Sequence, residues 1–121
     1  MKLFEPTTLG THTLKNRMAM APMTRSRADA AGVVGDLTVL YYTQRSSAGF
    51  IVTEAINISE QAKGNPLTPG LFRQDQVEAW KKVTQAAHEK GSVIFAQLWH
   101  TGRVGHSVDR NGALPVAPSA I

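Results

Sequence analysis

The stretch DQVEAWKKVTQAAHEKGSVIFAQL, residues 75–98, changes its hydrophobic period at Gly91. Before the glycine, apolar residues recur at spacings of three and four, which predicts an amphipathic helix over Asp75–Lys90. Its apolar stripe consists of Val77, Trp80, Val83 and Ala87. After the glycine, Ser92–Leu98 is apolar on both faces for most of its length. This pattern predicts a parallel strand that is buried beneath helices.

Both ends of this helix carry local signals. Asp75 and Glu78 have the spacing of a capping box, and Glu78 and Lys82 have that of an ion pair one turn apart. At the other end, Lys90 is followed by Gly91, which adopts the left-handed conformation at low cost and ends a helix. A strand is therefore expected directly after the helix.

The same order of elements occurs upstream. Asp36–Ala48 predicts a helix, with Asp36 or Thr38 as its cap and Gly49 as its end. Phe50–Ala55 and Arg17–Pro22 predict two further strands, and Thr7–Lys15 predicts a small hairpin around Gly10. The residues expected to face inward from the first helix are Leu37, Leu40, Tyr41 and Ala48. Strands that alternate with helices indicate parallel βαβ units with right-handed crossovers.

The number of elements is small for a complete α/β domain. Three parallel strands with two helices leave both edges of a sheet unpaired. The last segment, Thr101–Ile121, has no helical period and is expected to form a long loop. A (β/α)8 barrel needs about 250 residues, so 121 residues can hold fewer than half of its units. We therefore expect part of a larger domain, with an open α/β sheet complete in itself as the alternative.

The composition excludes several classes of protein. The chain is 42% apolar and 18% charged, as in folded proteins. The absence of cysteine excludes disulfide scaffolds and thiolate metal sites, and it favours a cytoplasmic location. The sequence contains no run of 18 apolar residues, so it predicts no membrane-spanning segment. The net charge of +4 is spread along the chain, and the four histidines lack ligand spacing. Neither nucleic-acid binding nor a metal site is therefore expected.

The working residues of parallel α/β folds lie at the carboxyl ends of the strands. This rule selects the three segments Pro22–Arg25, Glu54–Ala55 and Gln97–His100. Thr24 offers a hydroxyl, Gln97 an amide that both donates and accepts, and Ala55 a small side chain beside the backbone. Such a set suits in-plane hydrogen bonding to a flat heterocycle and does not suit hydrolysis.

Each of these residues also has a purely structural interpretation. Thr24 could cap a turn, and Trp99 could pack in the core instead of forming a wall for a ring-shaped ligand. Gln97 lies in an apolar strand, where an unpaired amide costs about 1–3 kcal/mol, so it implies a polar partner or a ligand. For Glu54, an ion pair with Arg25 or Arg27 is favoured over a catalytic role.

The residues at these positions resemble those of the old yellow enzymes, a family of FMN-dependent ene-reductases. Four blocks carry the resemblance, in the family's order and spacing: 21–28 (APMTRSRA), 41–45 (YYTQR), 48–55 (AGFIVTEA) and 97–103 (QLWHTGR). The resemblance implies an oxidoreductase with the (β/α)8 TIM-barrel fold, noncovalent FMN at the carboxyl ends of the strands, and a hairpin that closes the opposite mouth. It also implies a ping-pong cycle, in which NADPH or NADH reduces the flavin and an activated alkene, typically an α,β-unsaturated carbonyl, then takes the hydride.

The resemblance assigns roles to individual residues. It implies that Pro22, Met23 and Ala55 contact the flavin edge, largely through the backbone. It implies that Thr24 is the catalytic hydroxyl, which bonds the flavin and tunes its potential. Gln97 is similar to the amide that reads the pyrimidine edge, and Trp99 to the aromatic residue near the substrate cavity.

Other parts of the family's site belong to later strands. These are the His pair that anchors the substrate carbonyl, the Tyr proton donor and the groups that hold the FMN phosphate. Residues 1–121 are therefore expected to be the amino-terminal portion of a single FMN-binding barrel domain. That portion would be competent only with the carboxyl-terminal remainder, in the same or a separate chain. The alternative is a non-catalytic partial barrel that self-associates or serves as an assembly partner.

Overall fold

A three-stranded parallel sheet with two helices against it forms the centre of the computed structural model, which describes residues 1–119. A two-stranded antiparallel hairpin precedes the sheet, and four short 3-10 helices lie outside it. The strands are β1 (Thr7–Leu9), β2 (His12–Leu14), β3 (Ala19–Met20), β4 (Phe50–Asn57) and β5 (Val93–Trp99). The helices are α1 (Asp36–Arg45) and α2 (Gln74–Glu89). The 3-10 helices are Lys2–Phe4, Glu60–Ala62, Gly102–Val104 and Ser107–Arg110.

The strand order β3-β4-β5 confirms the predicted parallel βαβ units. Met20 pairs with Ile51, and Phe50 pairs with Val93, all in parallel register. The strand bounds differ from those expected, since β3 has only two residues and β4 continues to Asn57. The predicted loop after β5 contains two of the 3-10 helices, and its last two residues lie outside the described part of the chain.

A β-bulge in β4 determines which of its residues face the helices. Val52 pairs with Phe95 and Ala55 with Gln97, so β4 has two residues where β5 has one. The hydroxyl of Thr53 accepts the backbone N–H of Gln97 at 3.1 Å, which replaces a ladder bond at the bulge. Because of the extra residue, Ile51 and Ile56, five positions apart, both pack in the core.

The buried face of α1 differs from the prediction. Leu37 and Leu40, expected inside, are 73% and 51% exposed, while Thr38 and Tyr42 are buried. The physical reason is a hydrogen bond, because the Tyr42 hydroxyl accepts the backbone N–H of Glu54 at 2.8 Å. This bond is available only when the ring of Tyr42 points at the sheet. The N-cap is Gly35, without a side-chain cap, and the helix ends at Arg45, earlier than the expected Ala48.

The predicted stripe of α2 is largely correct, and its predicted cap is wrong. Trp80, Val83 and Ala87 are buried, Val77 is half-buried, and Gly91 has the expected positive φ of 69°. The helix begins at Gln74, and the side-chain oxygen of Gln76 accepts the N–H groups of Phe72 and Arg73 at 3.0 and 3.2 Å. Glu78 pairs with Lys81 at 2.8 Å, not with Lys82.

The segment before β3 joins the helix ends to the starts of the strands. Lys15 Nζ donates to the carbonyls of Ser46 and Lys90, the latter at 2.6 Å, so one cation meets the carboxyl ends of both helices. Asn16 Nδ2 donates to Ser47 O at 2.8 Å. In the hairpin, the ring of His12 lies edge-on to Phe95, 5.5 Å between centroids. These contacts locate the hairpin near the amino ends of β4 and β5.

Gly49 connects α1 to β4 where no side chain fits. A Cβ at this position would overlap the backbone carbonyl of Asn16 and lie 3.0 Å from its side-chain oxygen. We expect Gly49→Ala to lower the free energy of unfolding by about 1–3 kcal/mol, as overpacking does, measured by urea denaturation. The control is Gly35→Ala, whose Cβ meets nothing within 4 Å, with an expected loss below about 1 kcal/mol. Equal losses in the two variants would contradict the steric account.

Glu54 makes the stability of the fold depend on pH. Burial raises the pKa of its carboxyl above the ordinary value of 4.5, against the opposing effects of the Arg25 N–H, the Arg25 charge and the Tyr42 hydroxyl. Burial likewise raises the pKa of Tyr42. From pH 4.5 up to the raised pKa of Glu54, the folded state binds more protons than the unfolded state. Glu54 therefore destabilises the fold progressively as the pH rises through this window.

We predict that Glu54→Gln gains stability relative to the wild type as the pH rises from about 4 to 7, measured by urea denaturation at each pH. Glu78→Gln provides a control of opposite sign. The hydrogen bond from Lys81 lowers the pKa of Glu78, so the stability of the wild type should rise relative to that variant as the pH rises from this lowered pKa to 4.5. A difference for Glu54→Gln that falls with pH would contradict the prediction.

Candidate functional site

Three segments meet in the carboxyl-terminal part of the sheet, and we call them together the carboxyl edge: Pro22–Arg25, Glu54–Ala55 and Gln97–Trp99. Ala55 and Gln97 are direct partners in the pairing of β4 with β5. The backbone N–H of Arg25 donates to Glu54 Oε2 at 3.2 Å, which joins the first segment to the second. The structure thus brings together the strand ends that sequence reasoning selected.

The backbone N–H of Gln97 forms a hydrogen bond within the described residues, whereas the side-chain amide does not. This backbone N–H donates to Thr53 Oγ1, as described above, and the residue is half-buried. Its amide forms no hydrogen bond with another described residue. The sequence predicted a polar partner or a ligand for this amide, and within residues 1–119 no protein partner is found. The amide oxygen is therefore available to a donor on a bound molecule, and the amide nitrogen to an acceptor.

The first segment of the carboxyl edge is open to solvent. Pro22, Met23 and Thr24 are exposed, with Met23 at 49%. The hydroxyl of Thr24 makes no hydrogen bond to any described residue, so it does not act as a turn cap there. Ala55, by contrast, is only 2% exposed. Its direct contact with a bound ring is limited to the little surface that it leaves open.

Glu54 does not form the expected ion pair. Its carboxylate accepts the backbone N–H of Arg25, while the Arg25 guanidinium lies over the ring of Tyr41, 3.3 Å from the centroid. Arg27 donates to the carbonyls of Arg25 and Ser26 at 3.4 and 3.1 Å. Glu54 is 2% exposed and lies against Tyr42, so it is also shielded from any substrate. Neither interpretation of Glu54 from the sequence is correct.

Trp99 is held by a hydrogen bond at the end of β5. Its indole N–H donates to Asn57 Oδ1 at 2.7 Å. Asn57 Nδ2 in turn donates to Thr68 Oγ1 and to Pro69 O, each at 3.0 Å. The indole is half-buried and its orientation is determined by this chain of bonds. Trp99 therefore presents a fixed aromatic surface next to Gln97.

A buried arginine orders the loop that follows Trp99. Arg110 is 4% exposed and donates to Thr101 Oγ1 at 2.7 Å and to Gly102 O at 3.2 Å. The hydroxyl of Thr101 donates to Ala62 O at 2.9 Å, which ties this loop to the one after β4. A Cβ at Gly105 would overlap the terminal atoms of Arg110, so a larger residue there would displace the guanidinium from these bonds. Periodicity did not predict this order, because no helical or strand pattern accompanies it.

Sequence reasoning also missed Thr53 and Asn57 as parts of the site. Both are polar residues within an otherwise apolar strand, FIVTEAIN, and both are buried at 2% exposure. Buried polar groups require hydrogen-bond partners, so the presence of a polar residue in an apolar strand was the sequence signal that could have identified both residues.

The described residues contain no group of three or more His, Asp or Glu side chains that could hold a metal ion. In the same part of the chain, neither helix is long and apolar enough to cross a membrane.

Comparisons with known proteins identify relatives of the whole chain. The model of the NADH:flavin oxidoreductase / NADH oxidase family matches residues 2–120. A flavin oxidoreductase of Emericella nidulans is 44% identical over 124 residues, a match that covers 98% of this chain and 32% of the relative.

Two solved structures have closely similar backbones. An old yellow enzyme homologue from Zymomonas mobilis superposes with a TM-score of 0.94 at 49% identity, over 100% of this chain and 34% of that one. Morphinone reductase in complex with tetrahydroNAD superposes with a TM-score of 0.92 at 50% identity, over 100% and 33%.

The chain spans about a third of the length of the relatives that it matches. It corresponds to their amino-terminal part, and it supplies the hairpin and the first three strands of a (β/α)8 barrel. The fold implied by the sequence resemblance is thereby confirmed. The matched family model and both superpositions agree, and the chain therefore belongs to the NADH:flavin oxidoreductase / NADH oxidase family, the family of the old yellow enzymes.

Proposed function

We propose that this chain is the flavin-side part of an FMN-dependent ene-reductase. The enzyme would reduce activated alkenes, such as α,β-unsaturated carbonyls, with NADPH or NADH in a ping-pong cycle. One observation carries the proposal. The Thr24 hydroxyl and the Gln97 amide lie in the two segments of the carboxyl edge that flank Glu54–Ala55, and neither bonds another described residue. Membership of a flavin oxidoreductase family supports it.

The residues of the carboxyl edge fit a flat heterocycle. The Gln97 amide carries a donor and an acceptor in one plane, which suits the alternating groups of a pyrimidine ring. Pro22 and Met23 are exposed at the same edge and would contact the ring, largely through the backbone. Ala55 would allow the ring to approach β4, because its side chain is small. Bound FMN would supply the hydride chemistry, which the amino acids do not provide.

Thr24 is the residue to which we assign a catalytic role. Its hydroxyl is free to donate a hydrogen bond to a ring held against Gln97. A donor at that place stabilises additional electron density on the ring, and a charge-assisted bond contributes about 1.5–3 kcal/mol. Trp99, fixed by Asn57, would form the aromatic wall of the substrate cavity.

The proposed activity requires more than the residues of this chain. By resemblance, the substrate-anchoring His pair, the Tyr proton donor and the phosphate site come from later strands of the barrel. We therefore propose that residues 1–121 are the amino-terminal portion of a single FMN-binding domain. They would act together with the carboxyl-terminal remainder, in the same or a separate chain.

A second candidate function is assembly without catalysis. Within the described residues, β3 and β5 each pair with β4 alone, so both leave one edge open. Leu98, at one of these edges, is 61% exposed. Open parallel edges with apolar side chains are templates for association. A partial barrel of this kind would self-associate or bind an assembly partner, and it would hold no flavin by itself.

Flavin retention distinguishes the two candidates. We expect the completed barrel, formed by this chain with the carboxyl-terminal remainder, to retain the yellow colour in its visible spectrum after it is mixed with FMN and passed through gel filtration. Gln97→Leu should weaken FMN binding about thirtyfold, since two neutral hydrogen bonds of about 1 kcal/mol each are lost. The matched control is Gln85→Leu on the exposed face of α2, which should bind as the wild type does. Colourless protein that elutes as an oligomer would support assembly instead.

Substitution of Thr24 tests its catalytic role. In the completed barrel, with the carboxyl-terminal remainder present, we expect Thr24→Ala to slow the reduction of bound FMN by the nicotinamide about tenfold or more, because the lost bond is worth about 1.5–3 kcal/mol. Stopped-flow absorbance of the flavin measures this rate. Thr8→Ala, in the hairpin, is the matched control and should leave it unchanged. A reductive half-reaction that Thr24→Ala does not alter would remove Thr24 from this role.

A further inference from the structure

One hydrogen bond joins Arg25 and Glu54, which are adjacent in the chain to the proposed flavin contacts Thr24 and Ala55. Glu54 Oε2 accepts the backbone N–H of Arg25 at 3.2 Å. Arg25 directly follows Thr24, and Glu54 directly precedes Ala55. The bond crosses from the loop after β3 to β4, so it sets the distance between two segments that are 29 residues apart in the chain.

The carboxylate of Glu54 is held in place from the helix side. The Tyr42 hydroxyl accepts the backbone N–H of Glu54 at 2.8 Å and lies 3.4 Å from Oε1, to which it donates. Tyr42 is fully buried, and Glu54 is 2% exposed. An apolar side chain in such a place is often as stable as a buried charge or more so. The carboxylate is therefore better explained by what it positions than by the stability that it contributes.

A second restraint acts on the same loop. The guanidinium carbons of Arg25 and Arg45 lie 3.3 and 3.7 Å from the centroid of the Tyr41 ring. Two cations so close to one centroid must occupy opposite faces, so the ring is sandwiched. Tyr41 and Tyr42 are adjacent on α1, and α1 thus supports both the side chain of Arg25 and the carboxylate that binds its N–H.

The loop needs such restraints, since its conformation is not intrinsically favoured. Ser26 has a φ of 50°, in the left-handed region that side chains other than glycine rarely adopt. Thr24, two residues earlier, is exposed and makes no hydrogen bond of its own to a described residue. Its position therefore depends on the groups that hold Arg25.

From these contacts we propose that Glu54 is the positioning residue of the carboxyl edge: it binds the peptide N–H that follows Thr24 and thereby holds the Thr24 hydroxyl beside Ala55. This inference rests on the proposed function for the role of Thr24. The contact itself is independent of any cofactor and is testable in flavin-free protein.

Amide hydrogen exchange tests the contact directly. Glu54→Met removes both acceptor oxygens, and Glu54→Gln keeps one neutral acceptor of the same shape. We expect exchange of the Arg25 N–H, read by NMR in flavin-free protein, to accelerate at least tenfold in Glu54→Met and about threefold in Glu54→Gln, because the bond is lost or no longer charge-assisted. Glu78→Gln, an exposed carboxylate on α2, is the matched control and should leave this exchange unchanged.

The outcomes separate clearly. Exchange at Arg25 that stays within twofold of the wild type in folded Glu54→Met overturns the proposal. If Glu54→Met does not fold, Glu54→Gln decides, and exchange indistinguishable from the control variant overturns the proposal in the same way. Faster exchange confined to the segment 22–27 supports it, whereas equal acceleration throughout β4 and α1 indicates general loosening and overturns it.

A double-variant cycle tests whether Glu54 acts through Thr24. In FMN-loaded protein, Glu54→Gln should slow flavin reduction at least threefold when Thr24 is present and less than twofold in the Thr24→Ala background. A merely structural role would slow both backgrounds equally and overturn the proposal. If Thr24→Ala has no effect on its own, the proposed function of Thr24 fails. The exchange experiment then still supports or overturns the positioning role, because it needs no flavin.

Discussion

Between Val52 and Ala55, β4 carries one residue more than β5, and both the core and the carboxyl edge depend on this insertion. It lets Ile51 and Ile56 pack under the helices together. It also turns Glu54 toward Tyr42 while Ala55 remains opposite Gln97. In a regular strand, side chains alternate strictly, so one of these requirements would fail. The Thr53 hydroxyl stabilises the bulge, because it accepts the N–H of Gln97 that the ladder leaves unpaired.

The two ends of the parallel sheet differ in how far their polar groups are satisfied. At the amino ends, Lys15 and Asn16 bond the carbonyls of the helix–strand connections, so this end is tied together. At the carboxyl edge, Thr24 and Gln97 have side chains without partners among the described residues. Parallel α/β proteins that bind ligands use this arrangement: one end of the sheet is rigid, and the other end offers free hydrogen-bond donors and acceptors. The asymmetry thus supports a binding role for the carboxyl edge.

The local sequence pattern predicted the buried face of α2 well and that of α1 poorly, because the two helices bury different kinds of residue. In α2 the buried residues Trp80, Val83 and Ala87 are apolar and recur with the helical period, so hydrophobicity alone identified the face. In α1 the face is decided by Tyr42, which serves a buried carboxylate, and the apolar Leu37 is left outside. Hydrophobic periodicity contains no information about such a partner. The same limitation explains why the cap of α2 was predicted wrongly: the Gln76 side chain accepts the N–H at the start of the helix, and the expected capping box of Asp75 and Glu78 does not form.

The sequence by itself determined the order of elements and the parallel sheet, and its resemblance to a family identified the larger barrel. It also selected Thr24, Ala55 and Gln97, because residues at strand ends are recognisable from local pattern. Only the tertiary structure decided that Glu54 binds the Arg25 N–H instead of a guanidinium, and that Trp99 bonds Asn57. These pairs are 29 and 42 residues apart in the chain. Which donor reaches which acceptor depends on the bulge and on the rotation of α1, and both result from packing rather than from local propensity.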